Sequence, residues 1–285
     1  MYPIRKPFFG DPLFPFDMVY KAQKQPHNEL PHHLHDRYEL VYVYKGKGTF
    51  FIDNTFYDKK AGDLFIIPGD TIHCSFPDPI EPIVSSAVFF APALAQDEAV
   101  NDSYSALRCF TIARRKKNYK VELTEALSRW VEIGMEQIND ELHQQASGFH
   151  EAVILQLRQL LLHVNRYSSE DSTAQDTNKR IGPSWLRKSI KAIDEHPEFH
   201  VGLSEFAAQS SVSPAHFSRV FRQFTGMNLT DYVNAKRIII AKEMLRGTEE
   251  NIGVIAERCG FDCLPHFHRI FKSLTNLTPG VYRKQ

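Results

Sequence analysis

Phe217-Ser218-Arg219-Val220-Phe221-Arg222 recurs fifty positions later as Phe267-His268-Arg269-Ile270-Phe271-Lys272. The same offset carries Thr225-Gly226 to Thr275-Asn276 and Tyr232 to Tyr282. Upstream, Leu203, Phe206 and Ala207 correspond to Ile252, Ile255 and Ala256 at an offset of forty-nine. Two copies are too few for a solenoid and read as a duplicated supersecondary unit. In each, a short helix with an apolar stripe leads through a turn into a second helix. Ser213 is a good N-cap for the second helix of the first copy, and Pro214 suits its first position. That helix buries Phe217, Val220 and Phe221 and leaves Ala215, His216, Ser218, Arg219 and Arg222 on its outer face. In the second copy a helix from Leu264 buries Phe267, Ile270 and Phe271 and presents Leu264, His266, His268, Arg269 and Lys272. Cys263 stands where the first copy has its serine, so this helix start is less well capped.

Such a helix fits a DNA major groove, where Arg reads guanine and flanking cations meet phosphates. A single helix-turn-helix is common in bundles that never touch DNA. Two copies with Arg at the same helical position favour DNA. The ten outer-face residues are therefore the expected DNA-binding set, led by Arg219 and Arg269. Ala215 reaches no further than a thymine methyl. The second copy's Ile255-Ala256, Gly260-Phe261, Phe267, Arg269, Phe271-Lys272, Thr278-Pro279 and Tyr282-Arg283 resemble the signature of AraC/XylS-type bacterial transcription regulators. Gly226, Tyr232, Arg237 and Ala241 match the family's link between the copies. Asn276 departs from the usual glycine, but Asn tolerates the left-handed conformation. The resemblance implies a sequence-specific regulator that activates more often than it represses, with RNA polymerase as a partner and carbohydrate use as a frequent target. It also implies that Arg237 braces the two subdomains rather than touching DNA.

The apolar content of 42% over 285 residues supports cores in two or three domains. Formal net charge is zero but uneven: residues 183–285 carry 14 Lys and Arg against 10 Asp and Glu, whereas residues 1–167 carry 18 against 21. The basic excess is modest, so non-specific phosphate attraction should be moderate and salt-sensitive. Cys74, Cys109, Cys259 and Cys263 lack zinc spacing and are expected as small hydrophobes in a reducing compartment. The N-terminus has no apolar leader and no run reaches transmembrane length, so a cytoplasmic protein without membrane contact is expected. Residues 168–178 are polar apart from Ala174 and read as a linker.

From Pro31 the pattern becomes β. Strands are expected at Tyr38–Tyr44, Thr49–Ile52, Thr55–Tyr57, Asp63–Ile67 and Ile83–Phe90, with an edge strand near Asp17–Lys21 and a hairpin turn at Asp53-Asn54. This spacing suggests a small antiparallel barrel or sandwich. His33, His35 and Glu39 share one face of an extended strand, with Val41 and Val43. His33-x-His35-x-x-x-Glu39 followed by Gly46 resembles the first motif of cupin barrels, and Gly62, Pro68 and His73 resemble the second. Asp70 replaces a usual glycine there. In metal-bound cupins the matching residues hold a divalent metal. In sensory cupins attached to AraC-type regulators they serve a sugar or other small effector, or only the fold. His27 and His32 are expected at the surface.

Beyond Pro92, Leu123, Leu127, Trp130, Gly134, Ile138 and Leu142 follow a helical period, as do Ile154, Leu157, Leu161 and Val164. Ser147-Gly148 breaks them into an antiparallel pair. The stripe either packs on the barrel or pairs with a second subunit, and the resemblance favours a homodimer.

The expected fold is multidomain α+β: a cupin-like barrel (1–105), a helical dimerisation segment (106–167), a linker (168–182) and an all-α double helix-turn-helix domain (183–285). The expected function is a non-enzymatic transcription regulator whose effector binds at His33, His35, Glu39 and His73. The rival is a metal-dependent cupin enzyme or a metal-responsive regulator that uses the same four residues.

Overall fold

A computed structural model describes residues 4–8, 10–26, 29–53, 55–96, 104–167, 183–199 and 202–284. The linker 168–182, His27 and Asn54 lie outside the described residues. The chain divides into two compact units: a sheet unit (Pro7–Leu30 and His35–Arg180), and a helical unit (Ile181–Gln285 with Met1–Lys6 and Pro31–Leu34).

The short strands β1 (Ile4–Arg5) and β3 (His33–Leu34) pair in parallel and belong to the helical unit. The strands of the sheet unit are β2 (Phe16–Lys24), β4 (Tyr38–Lys45), β5 (Lys47–Ile52), β6 (Thr55–Lys60), β7 (Leu64–Ile67), β8 (His73–Pro77), β9 (Ile83–Phe90) and β10 (Lys120–Val121). Its helices are α1 (Pro92–Ala95), α2 (Arg108–Lys116), α3 (Glu125–Gln144) and α4 (Phe149–Tyr167).

The strands form two sheets, one containing β8-β5-β6 and the other ordered β10-β7-β4-β9-β2. The expected closed barrel is not what forms. Among the described residues β6 pairs only with β5, and β2 only with β9, so these edges stay open rather than zipping the sheets together. The β4 strand is buried on both faces, which explains its near-continuous apolar run. Leu40 and Tyr42 point one way and join Leu127, Val131, Met135 and Ile138 of α3 and Val153, Leu157, Leu161 and Val164 of α4. Val41 and Val43 point the other way and join Phe50, Ile52, Tyr57, Phe65, Ile67 and Phe89.

The helical stripe is thus covered by the sheet, not left for a second subunit. Removing each such side chain from water contributes about 1.5–3 kcal/mol, which is why the sheet claims the stripe. Trp130 leaves the stripe: it is 43% exposed and stacks on the His163 ring at 4.3 Å. It sits at the stripe's margin, where an indole half-covers the surface. His35 is not in one strand with Glu39, because a bend separates β3 from β4 and His35 bonds the Arg37 carbonyl within it. His32, expected at the surface, is buried.

In the helical unit the helices are α5 (Ser184–Glu195), α6 (Leu203–Gln209), α7 (Pro214–Thr225), α8 (Leu229–Gly247), α9 (Ile252–Arg258), α10 (Leu264–Thr275) and α11 (Pro279–Arg283). Pairs α6–α7 and α9–α10 are the two helix-turn-helix copies, joined by α8. At 1.5 Å per residue, α8 is about 28 Å long. The two copies fold alike. Phe221 meets Tyr232 edge-on with ring centroids 5.5 Å apart, and Phe271 meets Tyr282 at 5.5 Å. Thr225 donates to the Phe221 carbonyl at 2.8 Å, and Thr275 to the Phe271 carbonyl at 2.7 Å.

Candidate nucleic-acid interface and effector site

The α7 helix begins as its sequence dictates. The Ser213 hydroxyl accepts from the His216 amide at 3.2 Å, satisfying one orphan donor of the first turn. At the start of α10, Cys263 makes no such bond. Both helices end on a left-handed residue, Gly226 at φ 69° and Asn276 at φ 61°.

The outer faces carry the expected residues. Ala215, His216, Arg219 and Arg222 are exposed on α7, with Ser218 half-buried. Leu264, Arg269 and Lys272 are exposed on α10, with His266 and His268 half-buried. Among the described residues, none of Arg219, Arg222, Arg269 and Lys272 lies within ion-pair distance of a carboxylate. The Arg219 guanidinium instead lies 3.2 Å from His216 Nδ1, which holds it over the first turn.

Several other cations of this unit are committed to packing. Lys236 pairs with Asp194 at 2.6 Å, and Arg258 pairs with Glu250. Arg246 lies over the Tyr282 ring at 4.6 Å. Arg237 is buried and donates to the carbonyls of Pro197 at 2.7 Å and Phe199 at 3.3 Å. It ties the segment between α5 and α6 to α8. Both α7 and α10 thus present cations without ion pairs on their outer faces, and Lys188 and Lys284 are likewise exposed.

Inside the sheet unit, Glu39 Oε2 lies 3.0 Å from His35 Nε2 and 3.1 Å from His73 Nε2. All three residues are buried. Burial pushes the Glu39 carboxyl up, but the His73 charge and the hydrogen bonds to both histidines outweigh it and hold the group well below the usual carboxylate range. The far side of each ring is fixed by backbone: Nδ1 of His35 meets the Arg37 carbonyl at 2.8 Å, and Nδ1 of His73 meets the Thr71 carbonyl at 2.8 Å. Carbonyls only accept, so each Nδ1 carries the proton and each Nε2 is turned toward Glu39. His33 has the same local arrangement, with Nδ1 at 2.8 Å from the Pro31 carbonyl, and its segment groups with the helical unit. Backbone-pinned Nδ1 atoms with Nε2 atoms turned toward a carboxylate suit a divalent cation. The set equally suits an ionised carboxylate held by imidazolium donors.

Three neighbours escaped the motif reading. On β8, Ser75 shares the inward face with His73, and on β5 Phe50 lies between Ser75 and Tyr57 in the ladder. From β6, Lys59 is only 3% exposed; its Nζ donates to Ser75 Oγ at 3.2 Å and sits 4.3 Å from the centre of the Phe50 ring. The Phe50 ring is also 6.2 Å from that of His73. Burial pushes the Lys59 ammonium down to about 8, against weaker attraction from Glu29 and Glu39.

Comparison with known families decides what these two sites belong to. The AraC-like ligand binding domain matches residues 15–158, and a helix-turn-helix domain family matches residues 206–285. The chain belongs to the AraC family. It is a DNA-binding transcription regulator with an AraC-like ligand-binding domain. The HTH-type transcriptional activator RhaR of Cronobacter sakazakii is 25% identical over 285 residues, covering 98% of this chain and 94% of that protein. RhaR of Klebsiella pneumoniae is 27% identical over 265 residues, covering 93% and 91%. Among solved structures, the C-terminal domain of AraT, a response regulator from Geobacillus stearothermophilus, is 30% identical over 36% of this chain and 85% of its own, with a TM-score of 0.35. In this AraC-family chain the sheet unit coincides with the ligand-binding match, and both helix-turn-helix turns with the DNA-binding match. No described helix is long and apolar enough to cross a membrane.

Proposed function

We propose that this regulator activates transcription when a small-molecule effector, a carbohydrate or a close chemical relative, occupies the interior of the sheet unit. The observation that carries the reading is Glu39 clamped between His35 and His73 inside the sheet unit, beside the apolar cluster of Val41, Val43, Phe50 and Phe89. Buried charge is costly and is kept where it serves recognition. His33 completes the effector set of the sequence motif. Activation is supported by the RhaR relatives, which are named activators. The DNA readers are Arg219 and Arg269, with Ala215, His216, Ser218, Arg222, Leu264, His266, His268 and Lys272 around them. The functional domains are the effector-binding sheet domain (1–105), the helical dimerisation segment (106–167), a linker (168–182) and the DNA-binding domain (183–285). The protein is a cytoplasmic homodimer, with RNA polymerase as its partner at the promoter and no catalytic activity. Because the α3–α4 stripe faces the sheet, the second subunit meets the opposite side, where Trp130, Ile133 and Leu155 are exposed.

The test is a promoter reporter with effector titration in His35→Ala and Glu39→Ala. Both variants should keep basal DNA binding and lose the effector response. A normal response in both would reject the site.

A second reading has its own support. The pinned Nδ1 atoms leave His35 and His73 preset to hold a divalent metal with Glu39, with His33 as the fourth residue of the motif. A metal there would supply a positive centre for an oxygen-rich ligand. It requires stoichiometric metal in purified protein and an apparent Tm that falls in EDTA and returns with one metal.

A further inference from the structure

We propose that Lys59 is the anchor for a carboxylate of the effector, so that the ligand is a small polyhydroxylated acid of the sugar-acid class rather than a neutral sugar. This rests on the reading that the interior of the sheet unit is the effector site.

Thr55, Tyr57 and Lys59 alternate along β6 onto one face, and Tyr57 and Lys59 are both buried. An ammonium carried to that face is taken out of water. Its neighbours are a hydroxyl and an aromatic face: Ser75 Oγ at 3.2 Å and the Phe50 ring at 4.3 Å. Among the described residues no carboxylate lies within ion-pair distance of Lys59. Glu29, which acts on it from further away, lies 3.5 Å from Lys24, and Asp63 is bonded by Lys120 at 2.7 Å. A lysine has three donors, and Ser75 takes one. Two N–H groups and a full charge remain without a counter-ion in a low-dielectric interior. Burial accordingly lowers this ammonium to about 8.

A structural lysine would be paired or would reach the solvent. Lys59 does neither, and it adjoins the polar site. The Phe50 ring neighbours both, 4.3 Å from Lys59 Nζ and 6.2 Å from the His73 ring, and Ser75 and His73 project from the same face of β8. The interior thus presents an ammonium at one end and the Glu39 carboxylate with its two imidazoles at the other. A ligand with a carboxylate at one end and hydroxyls along its length satisfies both: the carboxylate takes the free ammonium hydrogens, the hydroxyls donate to Glu39, and the carbon skeleton lies on Phe50.

The test uses the full chain in EDTA, so that no metal recruits the acid. Thermal shift and calorimetry compare glucose with gluconate and glucuronate, galactose with galacturonate, and lactate as a hydroxy acid without a polyol chain. The sugar acids should raise the apparent Tm, the neutral parents should do so weakly, and lactate should fall between. Lys59→Met and Lys59→Gln should lower the acid's affinity about 10- to 100-fold, the worth of one charge-assisted hydrogen bond, and leave the neutral sugars unaffected. Both variants should melt no lower than the wild type, since removing an uncompensated buried charge does not destabilise. Binding of neutral sugars without the acids would overturn the anchor and leave the effector site standing. Undiminished acid binding in both variants would overturn it too. Silence from every compound would overturn the anchor and the effector site together.

Discussion

The first and second helix-turn-helix copies share one core and differ at their helix ends and outer faces. Phe217, Val220, Phe221 and Thr225 have the same burial as Phe267, Ile270, Phe271 and Thr275. Each threonine closes the last turn of its helix in the same way. The ends diverge: α7 starts on a serine that caps it and α10 on a cysteine that does not, while α7 stops on glycine and α10 on asparagine. Across the faces, the His216/His266 and Arg219/Arg269 pairs keep identity; Ser218 and Arg222 become His268 and Lys272. The packing is thus held constant while the surface varies.

If the cores are equivalent, truncating either should be equally severe. Phe221→Ala and Phe271→Ala should each cost about 3–5 kcal/mol, measured by denaturant unfolding of the full chain. A difference of more than half between them would break the equivalence.

The faces are the sharper test. Arg219→Ala and Arg269→Ala should each weaken specific promoter binding by about 1–3 kcal/mol and relax the base preference in one half of the site. Footprinting with permuted promoters separates the two halves. Unchanged affinity in Arg269→Ala beside a loss in Arg219→Ala would show that only the first copy reads bases. Arg219 is held by His216, whereas His266 is not bonded to Arg269.

The difference in caps predicts effects of opposite sign. Ser213→Ala should destabilise by about 0.5–2 kcal/mol, and Cys263→Ser should stabilise by a similar amount by adding the missing bond. A neutral Cys263→Ser would mean that the α10 amides are already satisfied.

The copies were legible because repetition exposes them: identical apolar spacing fifty residues apart cannot be mistaken for a surface pattern. The sheet unit was legible only where its strands are rich in β-branched and aromatic residues, as in β4 and β9. The β8 strand was missed. Its His-Cys-Ser-Phe-Pro sequence has no apolar alternation and ends in proline, yet it is held by a complete ladder to β5. Two-residue strands such as β10 leave no periodicity to find. The cupin-like motif named Glu39 and His73, whose side chains lie 3.1 Å apart, but the bend after β3 defeats the single-strand argument that grouped His35 with Glu39; they meet across a turn instead. Lys59 was invisible as part of Asp58-Lys59-Lys60, which resembles a solvated hairpin end. The available signal was its period-two relation to Tyr57. The barrel failed as an expectation because strand spacing reports hairpins and not whether the last edge finds the first.

The smallest difference between the copies is the left-handed residue. At φ 61°, Asn276 occupies a region in which a Cβ is crowded by the following carbonyl. Asparagine is among the side chains that tolerate it, so its own cost is small. Asn276→Gly would remove that crowding but widen the conformational freedom of the unfolded chain, which works against stability by about 0.4–1 kcal/mol. The two terms oppose each other, so the variant should lie within about 0.5 kcal/mol of the wild type. Asn276→Val has no such compensation: a β-branched side chain at positive φ should cost about 1–2 kcal/mol. Urea unfolding of both variants reads the contrast directly. Equal stability of Gly and Val at this position would mean that the end of α10 relaxes out of the left-handed conformation, and the two copies would then differ in backbone as well as in side chains.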